Sequence, residues 1–411
     1  MNKTRSSVLG IVFLTVFLDI VGFSILFPLF PSLLDWYLAH EGPHSLIGEL
    51  STWLTHLANG NQLAVHTLFG GILGSLYGLL QFFFSVIWGA LSDKIGRRPT
   101  LLFTLTGTLF SYVIWLFAGN FALLIASRIL GGIMAGNIST ASAAVADSTE
   151  PKDRAKGMAV VGVAIGLGFI LGPAIGGFFA SIHLEADVVE GVFTLHPFSG
   201  AALASLCLAA LNLLWAARRF PETFPIEKRG RHTQERSLHP LRQLRRLNYP
   251  GVQRANILYL IYLTAFAGVE FTLTFLAVER LNYTPMDLAM IFVFVGLIIA
   301  LVQGGLVRRL VPRLGERVLV RFGLLMNGPG FLLLAEAQSS FVLYLGLAFM
   351  AIGSAFLMPC MSALVSRYSP PQSQGLSMGV PTLVAYIQHD PLITTIRSRF
   401  YFAEEVCRDE H

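Results

Sequence analysis

Ten long apolar runs, at 8–34, 67–90, 99–118, 121–146, 157–182, 197–216, 255–279, 286–310, 317–335 and 340–366, are separated by mostly short polar stretches. An α-helix needs roughly 20 apolar residues to cross a bilayer, so the pattern predicts ten membrane-spanning helices. The intervening stretches alternate in charge. Residues 35–66 carry no Lys or Arg, residues 91–98 carry Lys94, Arg97 and Arg98, 119–120 are uncharged, 147–156 carry Lys152, Arg154 and Lys156, and 183–196 again carry none. Basic loops stay on the cytoplasmic side, which places the N-terminus, with Lys3 and Arg5, in the cytoplasm and residues 35–66 outside.

One long polar segment interrupts the series. Residues 217–254 hold ten arginines and lysines against three glutamates, which marks a cytoplasmic linker; contact of Arg242, Arg245 and Arg246 with anionic lipid is the sharper reading of that charge. The division expected is an N-terminal six-helix bundle at 1–216, the linker at 217–254, a C-terminal bundle with four clear helices at 255–379, and an aberrant or truncated tail at 380–411. A repeat supports it: Leu310-Val-Pro-Arg-Leu-Gly-Glu-Arg317 follows the eighth run much as Leu91-Ser-Asp-Lys-Ile-Gly-Arg-Arg98 follows the second, with Pro312 in the place of Asp93. Two such halves related by an axis along the membrane normal form one of the known transporter plans.

Composition agrees, since only 13% of residues are charged and 54% are hydrophobic, whereas a soluble domain is about 25% charged. The net charge of +5 follows from the basic loops and requires no nucleic-acid partner. Cys207, Cys360 and Cys407 show neither disulfide nor metal spacing, and His40, His44, His56 and His66 match no standard metal site. No cleavable signal peptide is apparent, the first apolar run being longer than a signal core. No nucleophile-and-base constellation or phosphate loop points to an enzyme.

Glycine is used non-randomly in the fifth run, at Gly162, Gly166, Gly168, Gly172-Pro173, Gly176 and Gly177. Small residues four apart let helices approach closely, and an internal Pro removes a hydrogen bond. Together with Gly89-x-Leu-x-Asp93-x-x-Gly96-Arg97-Arg98 and Ser127-Arg128-Ile-Leu-Gly-Gly132, the Gly172-Pro-x-x-Gly-Gly177 motif resembles the signature set of the major facilitator superfamily, in its drug:proton antiporter branch. Leu18-Asp19 and Pro28-Leu-Phe-Pro31 are similar to the first helix of tetracycline antiporters. Gly136-Asn-Ile-Ser, Pro221-Glu-Thr-Phe-Pro-Ile-Glu-Lys-Arg229 and Gly268-Val-Glu-Phe-Thr-Leu-Thr-Phe275 resemble the animal tetracycline-transporter-like members.

The resemblance implies an all-α polytopic fold of two pseudo-symmetric bundles, without cofactor or metal. It implies a monomeric secondary transporter of small amphipathic organic molecules, organic anions or drug-like compounds, exchanged for protons. Because the resemblance runs from about residue 8 to Gly379, the last one or two helices are expected to be missing or corrupted, through a truncated or frame-shifted gene model. A non-transporting receptor, scaffold or pseudo-transporter is the alternative.

Ionisable residues inside spans are expensive and point to function. Asp19 and Glu270 are the candidate proton or substrate sites, with Arg128 as a fixed charge or as a salt-bridge partner of Asp19. Asp93 is expected to accept hydrogen bonds at the start of the third span, and Gly89, Gly96, Arg97 and Arg98 to form a conformational latch with it. Asp147 is expected to pair with Arg154 or an arginine of the latch. Gln81, Asn137 and Gln303 are candidate polar contacts, and Phe23, Phe82, Tyr259 and Phe271 a candidate aromatic wall.

Overall fold

The computed structural model describes residues 3–368, apart from 59, 61, 151–153, 181–193, 225, 227–228 and 230–249. The expected tail at 380–411, the onset of any eleventh span and most of the basic linker, including Arg242, Arg245 and Arg246, lie outside these residues. The described chain is helical: α1 (Lys3–Ser24), α2 (Phe30–Glu41), α3 (Leu46–Leu57), α4 (Gln62–Ile95), α5 (Arg97–Leu116), α6 (Phe121–Met134), α7 (Asn137–Ser148), α8 (Arg154–Ala180), α9 (Ser199–Arg219), α10 (Pro250–Leu281), α11 (Pro285–Leu301), α12 (Arg308–Leu314), α13 (Glu316–Ala335) and α14 (Ser340–Tyr368). Nine stretches among the described residues are long and apolar enough to cross a membrane. They match nine of the ten predicted spans; the remaining one, at 255–279, lies inside α10.

Three spans are less regular than their apolar runs. The first is α1, a 3₁₀ turn at Phe27–Leu29 and α2, reaching Glu41 rather than residue 34. The fourth is broken between α6 and α7 at Ala135 and Gly136. The eighth contains a π-helical segment, Val302–Val307, that includes Gln303. Hydrophobicity alone locates a crossing; it does not report where the backbone ladder is interrupted.

The glycine motif explains how the bundle closes. Gly168, Gly172 and Gly176 lie four apart on α8 and face α1, where a Cβ would land on Ile20, on the Ser24 hydroxyl and on the Ile25 carbonyl oxygen, respectively. Ser24 Oγ sits 2.8 Å from the Ile20 carbonyl and 3.0 Å from that of Gly168, so this hydroxyl donates to one helix or the other across the contact. Gly177 faces the other way, against Pro285 and Ala289 of α11. Two further close approaches join residues of the first and second parts of the chain, Gly296 against Ile170 and Gly70 against the Phe275 ring. All three lie between the middle of the bundle and the side opposite the basic loops.

The core is divided accordingly. Two hydrophobic clusters are built from α1 to α9, joined only by Phe275, and two from α10 to α14. In the second set Gly323 and Gly330 of α13 meet Gly353 and Gly346 of α14 backbone to backbone, and Ser354 Oγ donates to Asn327 Oδ1 at 3.3 Å.

The glycines of α8 are not equivalent, which makes their roles testable. Gly176→Val puts a branched side chain into the Ile25 carbonyl and is expected to lower stability by about 1–3 kcal/mol. Gly162 has open space around its Cβ position, so Gly162→Ala is expected to be neutral or stabilising by up to about 1 kcal/mol. Thermal unfolding of detergent-solubilised protein separates the two; equal effects would remove the packing argument.

Candidate functional site

Two groups of polar residues are built into the first six spans, one at the basic end and one midway along the bundle. At the basic end, α4 and α5 are joined by a single residue, Gly96, at φ +113°. Only glycine tolerates that backbone freely, and a Cβ there would also strike the Glu222 carboxylate and the Arg229 guanidinium. The turn sends α5 back so that Arg97, its first residue, points into the bundle with a side chain only 4% exposed. Arg97 Nη2 lies 2.6 Å from Asp93 Oδ1 and its Nε lies 2.8 Å from Asp147 Oδ2. Its Nη1 donates to Ser92 Oγ, and the guanidinium lies over the Phe224 ring, 4.7 Å from the centroid.

Asp147 therefore pairs with the latch. Asp93 does so too, and this departs from the cap expected of it. The start of α5 is capped instead by Glu222, whose Oε1 accepts from Arg97 N at 2.9 Å and whose Oε2 accepts from Arg98 N at 3.4 Å. Arg229 Nη2 holds Glu222 Oε2 at 3.1 Å. Arg98 donates through Nη2 to the Ala217 carbonyl at 2.6 Å. The first stretch of the linker thus belongs to the site. Its signal in the sequence is one acid, Glu222, placed immediately after a span in an otherwise basic segment.

The second group surrounds Asp19. Asn137, the first residue of α7, donates through Nδ2 to Asp19 Oδ1 at 2.9 Å and accepts from Thr104 Oγ1 through its own Oδ1. One donor and the oxygen of the Asn137 amide are engaged within the protein, so it positions Asp19. The break just before Asn137 is held by Trp88, whose Nε1 donates at 2.6 Å to the Ile133 carbonyl and whose ring fills the space beside Gly136. Trp88 was not singled out in the sequence, where its aromatic ring is one of many.

Arg128 occupies α6 on the other side of the break. It is only 2% exposed. Its Nε donates to Ser127 Oγ at 3.1 Å, its Cζ lies 4.9 Å from the Trp115 ring centroid, and the phenols of Tyr112, Tyr77 and Tyr37 lie within electrostatic range. Its Nη2 has no hydrogen-bond partner. The salt bridge with Asp19 admitted by the sequence is not formed; no ion pair joins Arg128 to a described carboxylate. A desolvated ion costs several kcal/mol, whereas a cation–π contact returns about 2 kcal/mol at best. The aromatic box therefore leaves this cation underneutralised.

The remaining candidates are distributed more widely. Gln81 is buried on α4 and Gln303 is partly exposed in the π-helical segment. Glu270 and Phe271 lie on α10 and Phe82 on α4, with side chains outside the described set. Phe23 stacks on Tyr77 at 4.4 Å and meets Phe27 and Phe169 edge on, whereas Tyr259 packs in a separate cluster of the second part of the chain.

The end opposite the basic loops holds a histidine that sequence reasoning passed over. His196, just before α9, is buried; its Nε2 donates to the Trp115 carbonyl at 2.9 Å and its Nδ1 accepts from Phe198 N at 3.3 Å. Acceptance at Nδ1 requires the neutral ring, and burial pushes its pKa down from 6.5 to about 4. Because the folded value lies below the ordinary one, its stabilisation is complete above pH 6.5 and is lost as pH falls toward 4.

Three outcomes follow from these contacts. Glu222→Ala removes the cap of α5 and is expected to cost about 1 kcal/mol, while Arg97→Met leaves Asp93 and Asp147 facing each other and is expected to cost about 3 kcal/mol or more. Thermal unfolding of each variant checks the order. His196→Gln is expected to flatten the fall in stability between pH 6.5 and about 4, which corresponds to on the order of 3 kcal/mol in the parent protein; an unchanged pH profile would refute the assignment.

Comparison with known proteins matches this geometry. The family description Major Facilitator Superfamily fits residues 12–387. Major facilitator superfamily domain-containing protein 10 from Homo sapiens is 36% identical over 398 residues, covering 90% of this chain and 82% of that protein. The class C tetracycline resistance protein of Escherichia coli is 27% identical, covering 89% of this chain and 82% of that protein. The crystal structure of the human organic anion transporter MFSD10 (TETRAN) superposes with a TM-score of 0.75 at 33% identity, covering 96% of this chain and 94% of that one. A D-xylose-proton symporter shares the fold at 17% identity with a TM-score of 0.66.

Proposed function

The chain belongs to the major facilitator superfamily, a multi-pass integral membrane transporter and not an enzyme, and we propose that it exchanges small organic anions for protons by alternating access. The observation that carries this reading is the pair of unequal charges in the first half. Arg128 is a permanent cation, buried, with an unused donor at Nη2 and no ion pair to a carboxylate of the described residues. Asp19 is a half-buried carboxylate whose hydrogen-bond partner, Asn137, is neutral. A fixed positive charge favours an anionic solute, and a carboxyl group that can be protonated provides the exchange. The human relative's description as an organic anion transporter supports the substrate class, and the tetracycline resistance proteins support the drug-like range.

The cycle requires two states in which substrate and proton bind unequally, since equal binding shifts nothing. The contacts of Gly177, Ile170 and Phe275 hold the two halves together on the side opposite the basic loops, as in a carrier open toward the basic side. With the basic loops cytoplasmic, that opening faces the cytoplasm. The halves are assigned to 1–216 and 255–379, joined by 217–254. Asp93, Asp147, Glu222 and Arg97 tie α4, α5, α7 and the segment after α9 together, so they stiffen the first half as it rocks. Glu270, on α10, is the candidate partner of Asp19 in the second half.

Reconstituted proteoliposomes test the reading. An imposed pH gradient is expected to drive uptake of a fluorescent organic carboxylate. Asp19→Asn is expected to abolish gradient dependence while leaving substrate counterflow. Arg128→Gln is expected to raise KM for the carboxylate by about tenfold to a hundredfold, the worth of a hydrogen bond to a charged group, with little effect on its neutral ester. Folded parent protein that shows no gradient-driven uptake would exclude proton exchange.

A further inference from the structure

The two copies of the loop repeat share a backbone but not a chemistry. Gly315 stands at φ +78° and ψ 158° before α13, as Gly96 stands at φ +113° and ψ 159° before α5. Around Gly96 the arginine at the helix start is withdrawn into the bundle by Asp93 and Asp147. Around Gly315 that position is Glu316, Pro312 replaces Asp93, and the segment 308–321 carries five arginines against this single acid. Arg309, Arg313, Arg317 and Arg321 are all exposed. None of the four pairs with a carboxylate of the described residues. Arg317 donates from Nε and Nη2 to the Tyr368 hydroxyl, at 3.0 and 2.7 Å, a neutral partner that orients the guanidinium without neutralising it.

The surroundings of these arginines are apolar. A recess of about 520 Å3 opens between Leu314, Glu316, Arg317, Val318, Leu364 and Tyr368, with Glu316 as the one acid in its lining. From it an exposed stripe runs along α13 through Val318, Phe322, Leu325 and Leu332, residues spaced at three, four and seven so that they lie on one helical face. Arg317 and Arg321 head that stripe. A cationic end that passes directly into a lipid-facing apolar face matches an anionic headgroup followed by an acyl chain.

We propose that the junction of α12 and α13 is a binding site for an anionic phospholipid, with Arg313, Arg317 and Arg321 on the headgroup phosphate and Val318, Phe322 and Leu325 along the chain. Each basic residue near an anionic lipid surface contributes roughly a fivefold gain in affinity, so the three together set the selectivity over a zwitterionic lipid. The site lies on the leaflet that faces the basic loops, and it anchors the second half of the bundle, whereas in the first half Arg97, whose place Glu316 takes, is held internally.

The test uses the full chain in a nonionic detergent, titrated with phosphatidylglycerol or phosphatidylcholine while thermal unfolding is followed. Phosphatidylglycerol is expected to raise the unfolding temperature saturably and phosphatidylcholine is not. Replacing Arg313, Arg317 and Arg321 by Gln is expected to raise the half-saturating concentration by about a hundredfold. The triple Lys replacement, which keeps the charge and tests for misfolding, is expected to stay within about tenfold of the parent. Arg218→Gln with Arg219→Gln, at the basic end of α9, is expected to leave the response intact. An equal response to phosphatidylcholine, an undiminished response of the triple Gln variant, a triple Lys variant as weak as the Gln one, loss of the response in the α9 pair, or displacement by inorganic phosphate would each overturn the proposal.

Discussion

A charge withdrawn from water has to be answered by another group, and the two buried arginines of the first half are answered in opposite ways. Arg97 is met by Asp93 and Asp147, with Ser92 and Phe224 completing its surroundings. In a medium of low dielectric such a network resists separation of its members, because each departing partner leaves an uncompensated ion. It therefore binds α4, α5 and α7 into one unit, and Glu222 adds the segment after α9 through the α5 cap. Arg128 is met by aromatic rings and a serine, which leaves a demand for negative charge. One arginine thus ties helices together, and the other stays buried with a donor unused.

The same constraint governs the backbone. A broken helix in hydrocarbon needs its freed groups answered, and the break at Ala135 and Gly136 is answered by Trp88, which donates to the Ile133 carbonyl. The interruption places Asn137 at a helix start with its side chain against Asp19. Glycine does the complementary work where helices touch. Along α8 it removes the side chains that would otherwise hold α1 and α11 apart, and so one helix packs on both halves of the bundle. A contact without interlocking side chains brings the two backbones close along its length.

The repeat shows how one backbone solution is put to two uses. Positive-φ glycines at 96 and 315 return the chain into the bundle in both copies. In the first copy acids draw the arginine at the helix start inward; in the second a glutamate stands at that position, and the arginines around it lie on the surface, beside an apolar face. Divergence of a few side chains has separated an internal hub from an exposed basic junction.

Much of this was legible in the chain. Apolar runs mark the spans because a bilayer requires about 20 consecutive apolar residues wherever it is crossed, a condition written locally in the sequence. The spacing of Gly168, Gly172 and Gly176 marks a close face for the same reason, since residues four apart share a helical side. Local rules also exposed Asp19 and Arg128 as charges that need an explanation. What they did not supply was the partner of each. Asp93 looked like the cap of α5 because it lies nearby in the chain, yet the cap is Glu222, which arrives from 125 residues away. Asn137 stood out as a candidate polar contact, and its partners within the protein, Asp19 and Thr104, come from other helices. The salt bridge of Arg128 with Asp19 was chemically reasonable and did not form. The sequence by itself determined which segments cross and which residues are costly to bury, because hydrophobicity and charge are properties of a residue. Only the tertiary structure decided which costs are met and which are left open, because a hydrogen bond depends on distance and direction between residues that the chain order does not bring together.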